Sequence, residues 1–370
     1  MKTFKNTLLW LFFVFIACFL PTLSFSQNIA LEVETLLAKH NKDYQFEGAV
    51  LVAKNGNILY RGSVGESSRK TKIPLNIYSK FRIASITKAF TVVLVLQLYE
   101  QGKLKLDQTL SELLPEFKNR KAKKVTIHHL LTHTSGLPKE PDEAYITVMK
   151  PIDFLNKHGK GKLKFKPGKK FNYNNLDYVA LGLIIEKITG KPWEEVLKEK
   201  IIKPARLRGT GVMKRGMKLS FMSIGYSTKD PKNTQPKASD WVEDPQYAID
   251  NFYAAAEMYS TTRDLFNFSQ ALYRNKLLKK ETKALMYKSN PKIGYVAYGS
   301  WVFKSPFIKG KPTIVERRGS IQGFNGVFVR CPEQNHTLVI LSNNNHFNPD
   351  SFGDKKNLKE QLLQLMYKGK

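Results

Sequence analysis

Ser85 and Lys88 stand three residues apart in "FRIASITKAFTVVLVLQLYE" (81–100), a hydroxyl followed one helical turn later by an amine. Such a pair forms a nucleophile and a proton acceptor when both lie on one face and the lysine is kept from its usual cationic state. Two other Ser-x-x-Lys spacings occur, Ser67/Lys70 and Ser289/Lys292. Ser67 lies in the polar turn "GESSRKTKIP". A proline separates Ser289 from Lys292, which disfavours a regular helical turn there. Ser85 alone opens an apolar helical run, with Ala89, Phe90, Val92, Val93 and Leu96 behind it. A buried helix fixes both side chains, and its N-terminus places positive potential where an oxyanion would form.

Free lysine titrates near about 10.4, so Lys88 becomes a base at neutral pH only if burial or a second cation disfavours its charge. A nearby phenol would complete the set. Tyr173 and Asn175, in "KPGKKFNYNNLDYVALGLIIEKITGKPW" (166–193), follow a Pro-Gly turn and precede a helix ended by Gly190 and Pro192. The other Tyr-x-Asn, Tyr273/Asn275, closes the pattern "LFNFSQALYRN" and has no such loop. Taken alone, Tyr173 reads as a half-buried packing residue.

The elements that must position these groups are legible in outline. Ile29, Val33, Leu36 and Leu37 form one stripe of a first helix. "GAVLVAKNGNILYRGSVG" (48–65) reads as two strands around Asn55-Gly56. From about 81 to 266 the pattern is mainly helical. "GFNGVFVRCPEQNHTLVILSNN" (323–344) again reads as paired strands, turning at 333–335, and Leu358, Leu362, Leu365 and Met366 mark a last helix. The expected fold is α+β: one antiparallel sheet built from both termini, flanked by the N- and C-terminal helices, with an inserted mainly helical lobe. The α/β lobe is expected over 27–95 and 280–370 and the helical lobe over 96–279, with a cleft between them.

The order Ser-x-x-Lys, Tyr-x-Asn, then a cation-x-Gly strand resembles the serine β-lactamase-like hydrolases. These include class C β-lactamases, D-alanyl-D-alanine carboxypeptidases and other penicillin-binding proteins, D-aminopeptidases and esterases. The likeness runs over roughly 45–345. "VTIHHLLTHTSGLP" (125–138), "FNYNNLDYVALGLIIEKITGKPWEEVL", "SIGYS" (223–227) and "MYSTTRDLFNF" (258–268) are similar to family segments. The resemblance implies that Ser85 is the acylated nucleophile and Lys88 its proton acceptor or relay. Tyr173 would be the partner base, and Asn175 would hold Lys88 and the substrate amide. The third motif falls on Arg317-Arg318-Gly319, with Ser320 giving its backbone N–H to the oxyanion hole beside that of Ser85. Arg317 departs from the family's Lys, His or Trp. An arginine cannot shuttle a proton, but it can depress the pKa values of Lys88 and Tyr173 or bind a substrate carboxylate. Alternatively it is a strand-edge surface residue. Glu257 stands where the family commonly has glycine, and either narrows the cleft or places a carboxylate near the substrate.

Composition bounds the rest. The chain has 370 residues and a formal net charge of +29, concentrated in "KNRKAKKVTIHH" (118–129) and "GKGKLKFKPGKK" (159–170). A solvated basic surface explains this, and attraction to anionic cell-wall polymers or membrane surfaces is the alternative. No nucleic-acid motif appears. Lys2, Lys5, an apolar run over 8–20 and the small Ser24 and Ser26 have the anatomy of a signal peptide (1–26) cut before Gln27. That implies an exported, periplasmic or secreted catalytic domain over 27–370. An uncleaved anchor helix and lipidation at Cys18 are less favoured. Cleavage would leave Cys331 as the only cysteine, read as a packing residue. His128, His129 and His133 lack Cys or carboxylate partners at ligand spacing, so neither a metal nor an organic cofactor is expected.

The resulting expectation is an exported serine hydrolase that forms a Ser85 acyl-enzyme with an amide or ester substrate, a D-amino-acid peptide or a small ester. The alternatives are a weak β-lactamase and a non-catalytic protein of the same fold that binds envelope polymer. Oligomeric state is not legible.

Overall fold

The computed structural model describes residues 28–244 and 249–368. The expected signal peptide and Cys18 lie outside them. A seven-stranded antiparallel sheet is drawn from both ends of the chain. Its strands are β1 (Gly48–Lys54), β2 (Asn57–Val64), β3 (Val296–Ala297), β4 (Ser300–Lys304), β5 (Thr313–Ile321), β6 (Phe324–Cys331) and β7 (His336–Ser342), in the spatial order β3-β4-β5-β6-β7-β1-β2. Asn55 and Gly56 turn the first hairpin with φ of 53° and 78°, the left-handed pair that a two-residue β-turn demands.

β1 is buried along nearly its whole length because both faces of the sheet are covered. Successive residues serve opposite cores. Val50 and Val52 meet α1 (28–44) and α6 (Leu358–Tyr367) through Val33, Leu37, Leu362 and Met366. Ala49, Leu51 and Ala53 face the larger core on the other side. The terminal helices thus cover one face only. The opposite face carries α4 (Thr262–Tyr273), which packs on β7 and β1 although its residues fall inside the span expected for the helical lobe.

α2 (Thr87–Glu100) runs through that larger core and is buried almost all round, from Lys88 to Leu96. It packs against α3 (Asn175–Thr189) and the short turn Tyr253–Ala256. The two lysine-rich stretches are neighbours in space, tied by the Asn119 side chain donating to the carbonyls of Gly159 (2.7 Å) and Gly161 (3.2 Å). No helix among the described residues is long and apolar enough to cross a membrane.

Candidate active site

Ser85 does not sit in the α-helix itself. It lies in a 3-10 turn, Ala84–Ile86, that leads into α2. The tighter winding brings residues i and i+3 almost into register, which aims Lys88 directly at the serine. Ala84 holds φ at 46°, a strained setting for a residue with a side chain, and costs roughly 1–3 kcal/mol. The turn is pinned by Ile83 N–H to the Met258 carbonyl at 2.9 Å.

Lys88 is fully buried, and its three ammonium hydrogens have three acceptors. They go to Ser85 Oγ (3.0 Å), Asn175 Oδ1 (2.7 Å) and the Ala255 carbonyl (3.0 Å). Tyr173, at the mouth of α3, donates its hydroxyl to Ser85 Oγ at 2.6 Å. Asn174 caps α3 through the Leu176 N–H, which fixes the backbone on either side of it. Beneath Tyr173 the His133 ring lies 4.5 Å away, centroid to centroid. His133 is itself buried, with Nδ1 3.2 Å from Asp177 Oδ2, and Ser135 donates to the other Asp177 oxygen at 2.6 Å. Burial pushes the His133 pKa well down and the Asp177 pKa well up, disfavouring the charged form of each. His128 meets the Tyr298 hydroxyl at 2.9 Å, and His129 accepts the Thr126 N–H in a helix cap. The three histidines therefore have separate partners.

Arg317 comes from the middle of β5, opposite Phe328 of β6 and one residue past the last pairing with β4 (Glu316 with Trp301), and only 2% of its surface is exposed. The strand-edge reading is thereby corrected: polar neighbours in "VERRGS" hide a residue whose side chain points inward. Its Nε donates to the Ser85 carbonyl and its terminal nitrogen to the Tyr173 hydroxyl, each at 2.7 Å. Gly319, two residues on, faces the same way. A Cβ there would lie 2.3 Å from the Ile83 carbonyl, so only glycine lets β5 close on the Ser85 turn. Ser320 is exposed at the strand end, its hydroxyl donating to Asn325 at 2.6 Å.

These charges act on one another. Burial lowers Lys88, and although the Tyr173 phenolate opposes this, the Arg317 cation adds to it, leaving the amine at about 8. Burial alone would raise Tyr173, but Arg317 and Lys88 outweigh it and bring the phenol down to about 8. A proton shared between hydroxyl, phenol and amine can therefore move near neutral pH.

Sequence reasoning missed Glu140 and Tyr145, which lie in the irregular loop "LPKEPDEAY" where no periodicity marks them. Asn175 Nδ2 donates to Glu140 Oε1 and to the Tyr145 hydroxyl, both at 2.9 Å, so the amide hydrogens expected to meet substrate are engaged within the protein. Tyr145 donates to the same Glu140 oxygen at 2.6 Å. Glu140 is 4% exposed, and its second oxygen meets no hydrogen-bonding group of the described residues. Glu257 is buried but is not among the residues lining the cleft. It lies 3.7 Å from Lys214, and burial, only partly offset by that cation, raises it to about 8.

The cleft above Tyr173 and Asn175 encloses about 520 Å³. Glu140, Asp142, Glu143 and Asp244 line it against two cations, Lys139 and Arg82, and Arg82 is already paired with Asp244. A larger groove of about 890 Å³ between α1 and α6 has no serine among its lining residues.

A family model described as Beta-lactamase matches residues 33–363. Penicillin-binding protein 4* of Bacillus subtilis (strain 168) is 32% identical over 334 residues, covering 86% of this chain and 72% of that protein. Among solved structures, a penicillin-binding protein from Bacillus halodurans superposes with a TM-score of 0.71 at 27% identity, covering 83% of this chain and 94% of that one. The D-amino acid amidase from Ochrobactrum anthropi SV3 complexed with D-phenylalanine gives a TM-score of 0.76 over 92% of this chain and 98% of its own. At 22% identity that likeness speaks for the fold alone.

Proposed function

Since the chain belongs to the beta-lactamase family and so to the serine hydrolase superfamily, we propose that it hydrolyses amides or esters through an acyl-enzyme on Ser85. The observation that carries this is the closed chain Lys88–Ser85–Tyr173–Arg317, in which every link is 2.6–3.0 Å. The Ser85 proton passes to the phenolate form of Tyr173, which Arg317 and Lys88 favour, while Oγ attacks the substrate carbonyl. The Ser85 and Ser320 N–H groups receive the oxyanion. The Tyr173/Lys88 pair returns the proton to the departing amine or alcohol, leaving the acyl group on Oγ. Tyr173 then deprotonates a water that attacks the ester. The acid leaves, and Ser85 regains its proton.

The acidic lining narrows the substrate. A protein of net charge +29 that lines its cleft with four carboxylates against two cations, Asp244 already paired with Arg82, favours a cationic group there, and the unpartnered buried Glu140 oxygen supports that reading. The reading is therefore an amide or ester of an amino acid with a free ammonium, in keeping with a D-amino-acid substrate. Residues 27–370 act as one exported catalytic unit. The adjoining lysine-rich stretches give it a face for anionic envelope polymers.

The test compares D- and L-aminoacyl p-nitroanilides and methyl esters with their N-acetylated and deaminated counterparts. A fluorophosphonate probe reads Ser85 directly, with Ser85→Ala as control. Hydrolysis that is Ser85-dependent and prefers the free amine supports the proposal. Absence of any Ser85-dependent turnover or adduct refutes it.

A further inference from the structure

A second cavity, of about 370 Å³, opens between the end of α4, α5 (Lys280–Tyr287) and the end of β6. Lys280, Lys283 and Arg330 line it, and none of its lining residues is Asp or Glu. Arg330 is only 3% exposed. One terminal nitrogen donates to the Tyr287 hydroxyl at 2.8 Å, but its Nε and second terminal nitrogen meet no hydrogen-bonding group of the described residues. Neither does any described carboxylate lie within ion-pair distance of it, whereas the buried Arg82 and Lys359 both have one.

The Tyr287 and Phe328 rings, each 5.2 Å from the guanidinium carbon, repay part of its lost hydration. They do nothing for two unbonded N–H groups. Lys283 is close enough to feel Arg330: burial, with the guanidinium charge added, lowers its pKa. Its ammonium also reaches the Leu272 and Tyr273 carbonyls at 2.7 and 3.2 Å, which anchors it at the end of α4. Cations gathered without a carboxylate repel one another, and a buried guanidinium without a counter-ion is destabilising.

We propose that this cavity is a binding site for a phosphoryl dianion, separate from the Ser85 cleft. A guanidinium offers paired donors that match the oxygens of phosphate, and two ammonium groups supply the remaining charge. Such a ligand is either free phosphate or the phosphoryl end of a small organic molecule. The site does not depend on the proposed hydrolysis, because binding is read without turnover.

Isothermal titration at constant ionic strength, using inorganic phosphate, glycerol 3-phosphate and acetate in turn, tests it. The expected result is saturable one-to-one binding of both phosphates and about tenfold weaker or undetectable binding of acetate. Equal affinity for the two phosphates would place recognition in the phosphoryl group alone, and tighter binding of glycerol 3-phosphate would include the organic part. Arg330→Lys and Lys283→Gln should each weaken phosphate binding by about tenfold. The surface change Lys280→Gln, combined with Lys283→Gln, gives the same reading should Arg330 variants fail to fold. Absence of saturable binding, or binding indifferent to these substitutions, overturns the proposal. So does phosphate protection of Ser85 from the fluorophosphonate probe, since the anion would then occupy the cleft.

Discussion

Replacing Arg317 by methionine removes one charge from the heart of the site while keeping much of the side chain's bulk. The guanidinium carbon lies 5.5 Å from the Tyr173 ring centre, and a terminal nitrogen lies 2.7 Å from its hydroxyl. At an effective separation of about 5 Å and a dielectric of about 20, Coulomb's law gives about 3 kcal/mol, equivalent to about two pKa units. Water entering the vacated space will reduce this, so a shift of about one unit is the lower bound expected. The sign is fixed by charge. The cation favours phenolate over phenol at Tyr173 and neutral amine over ammonium at Lys88, so losing it raises both from about 8. The alkaline rise of kcat/KM should move from about pH 8 to about 9–10, and at pH 7 the rate should fall about tenfold to a hundredfold. Arg317→Lys, which keeps the charge but not the fork, should leave the midpoint near its original value with a lower plateau. The assay is a pH–rate profile on the best p-nitroanilide or ester, with near-ultraviolet dichroism to verify folding. A folded methionine variant whose midpoint moves by less than about 0.3 unit would show that Arg317 does not set the ionisation of the pair.

Other outcomes are expected from the same geometry. Gly319→Ala places a carbon 2.3 Å from the Ile83 carbonyl and must displace the Ser85 turn. Acylation should slow by more than about tenfold in burst kinetics, with about 1–3 kcal/mol of stability lost. Glu140→Gln preserves the bonds from Asn175 and Tyr145 but removes the charge, so the preference for free-amine over N-acetylated substrates should drop about tenfold or more. Equal loss on both substrates would mark Glu140 as a support for Asn175 only. Lys359→Met removes one of the two cations on the buried Glu316, leaving it Arg318 alone, and should cost about 1–3 kcal/mol in denaturant unfolding. Retention on cell-wall sacculi should weaken as salt rises, and retention indifferent to salt would argue against the lysine-rich face as the contact.

What could be read beforehand followed from local rules. The Asn55-Gly56 hairpin, the apolar stripes of the terminal helices and the serine-lysine turn each depend on residues within a few positions of one another. The placement of Tyr173 was approachable because a Pro-Gly turn and a capped helix bracket it. The harder features depend on distant packing. Whether Arg317 faces inward depends on strand register against β4 and β6, which the polar run around it disguises. The 3-10 winding at Ser85 follows from the backbone pins at Ile83, not from propensity. Glu140 and Tyr145 sit on an irregular loop, where burial is imposed by neighbours more than a hundred residues away, such as Phe252 stacked 4.0 Å from Tyr145.

The hydrogen bond from Arg317 to the Ser85 carbonyl joins positions 232 residues apart, and β1 is sandwiched between its own hairpin partner and β7. During synthesis, the ribosome releases the serine and its lysine long before the strand that carries their cation. Until that late strand docks, the early segment is chemically mute, its phenol and amine left at ordinary basicity. Any stalled or clipped product lacking the last quarter of the polypeptide should be inert, since it carries the serine without the guanidinium that tunes its partners.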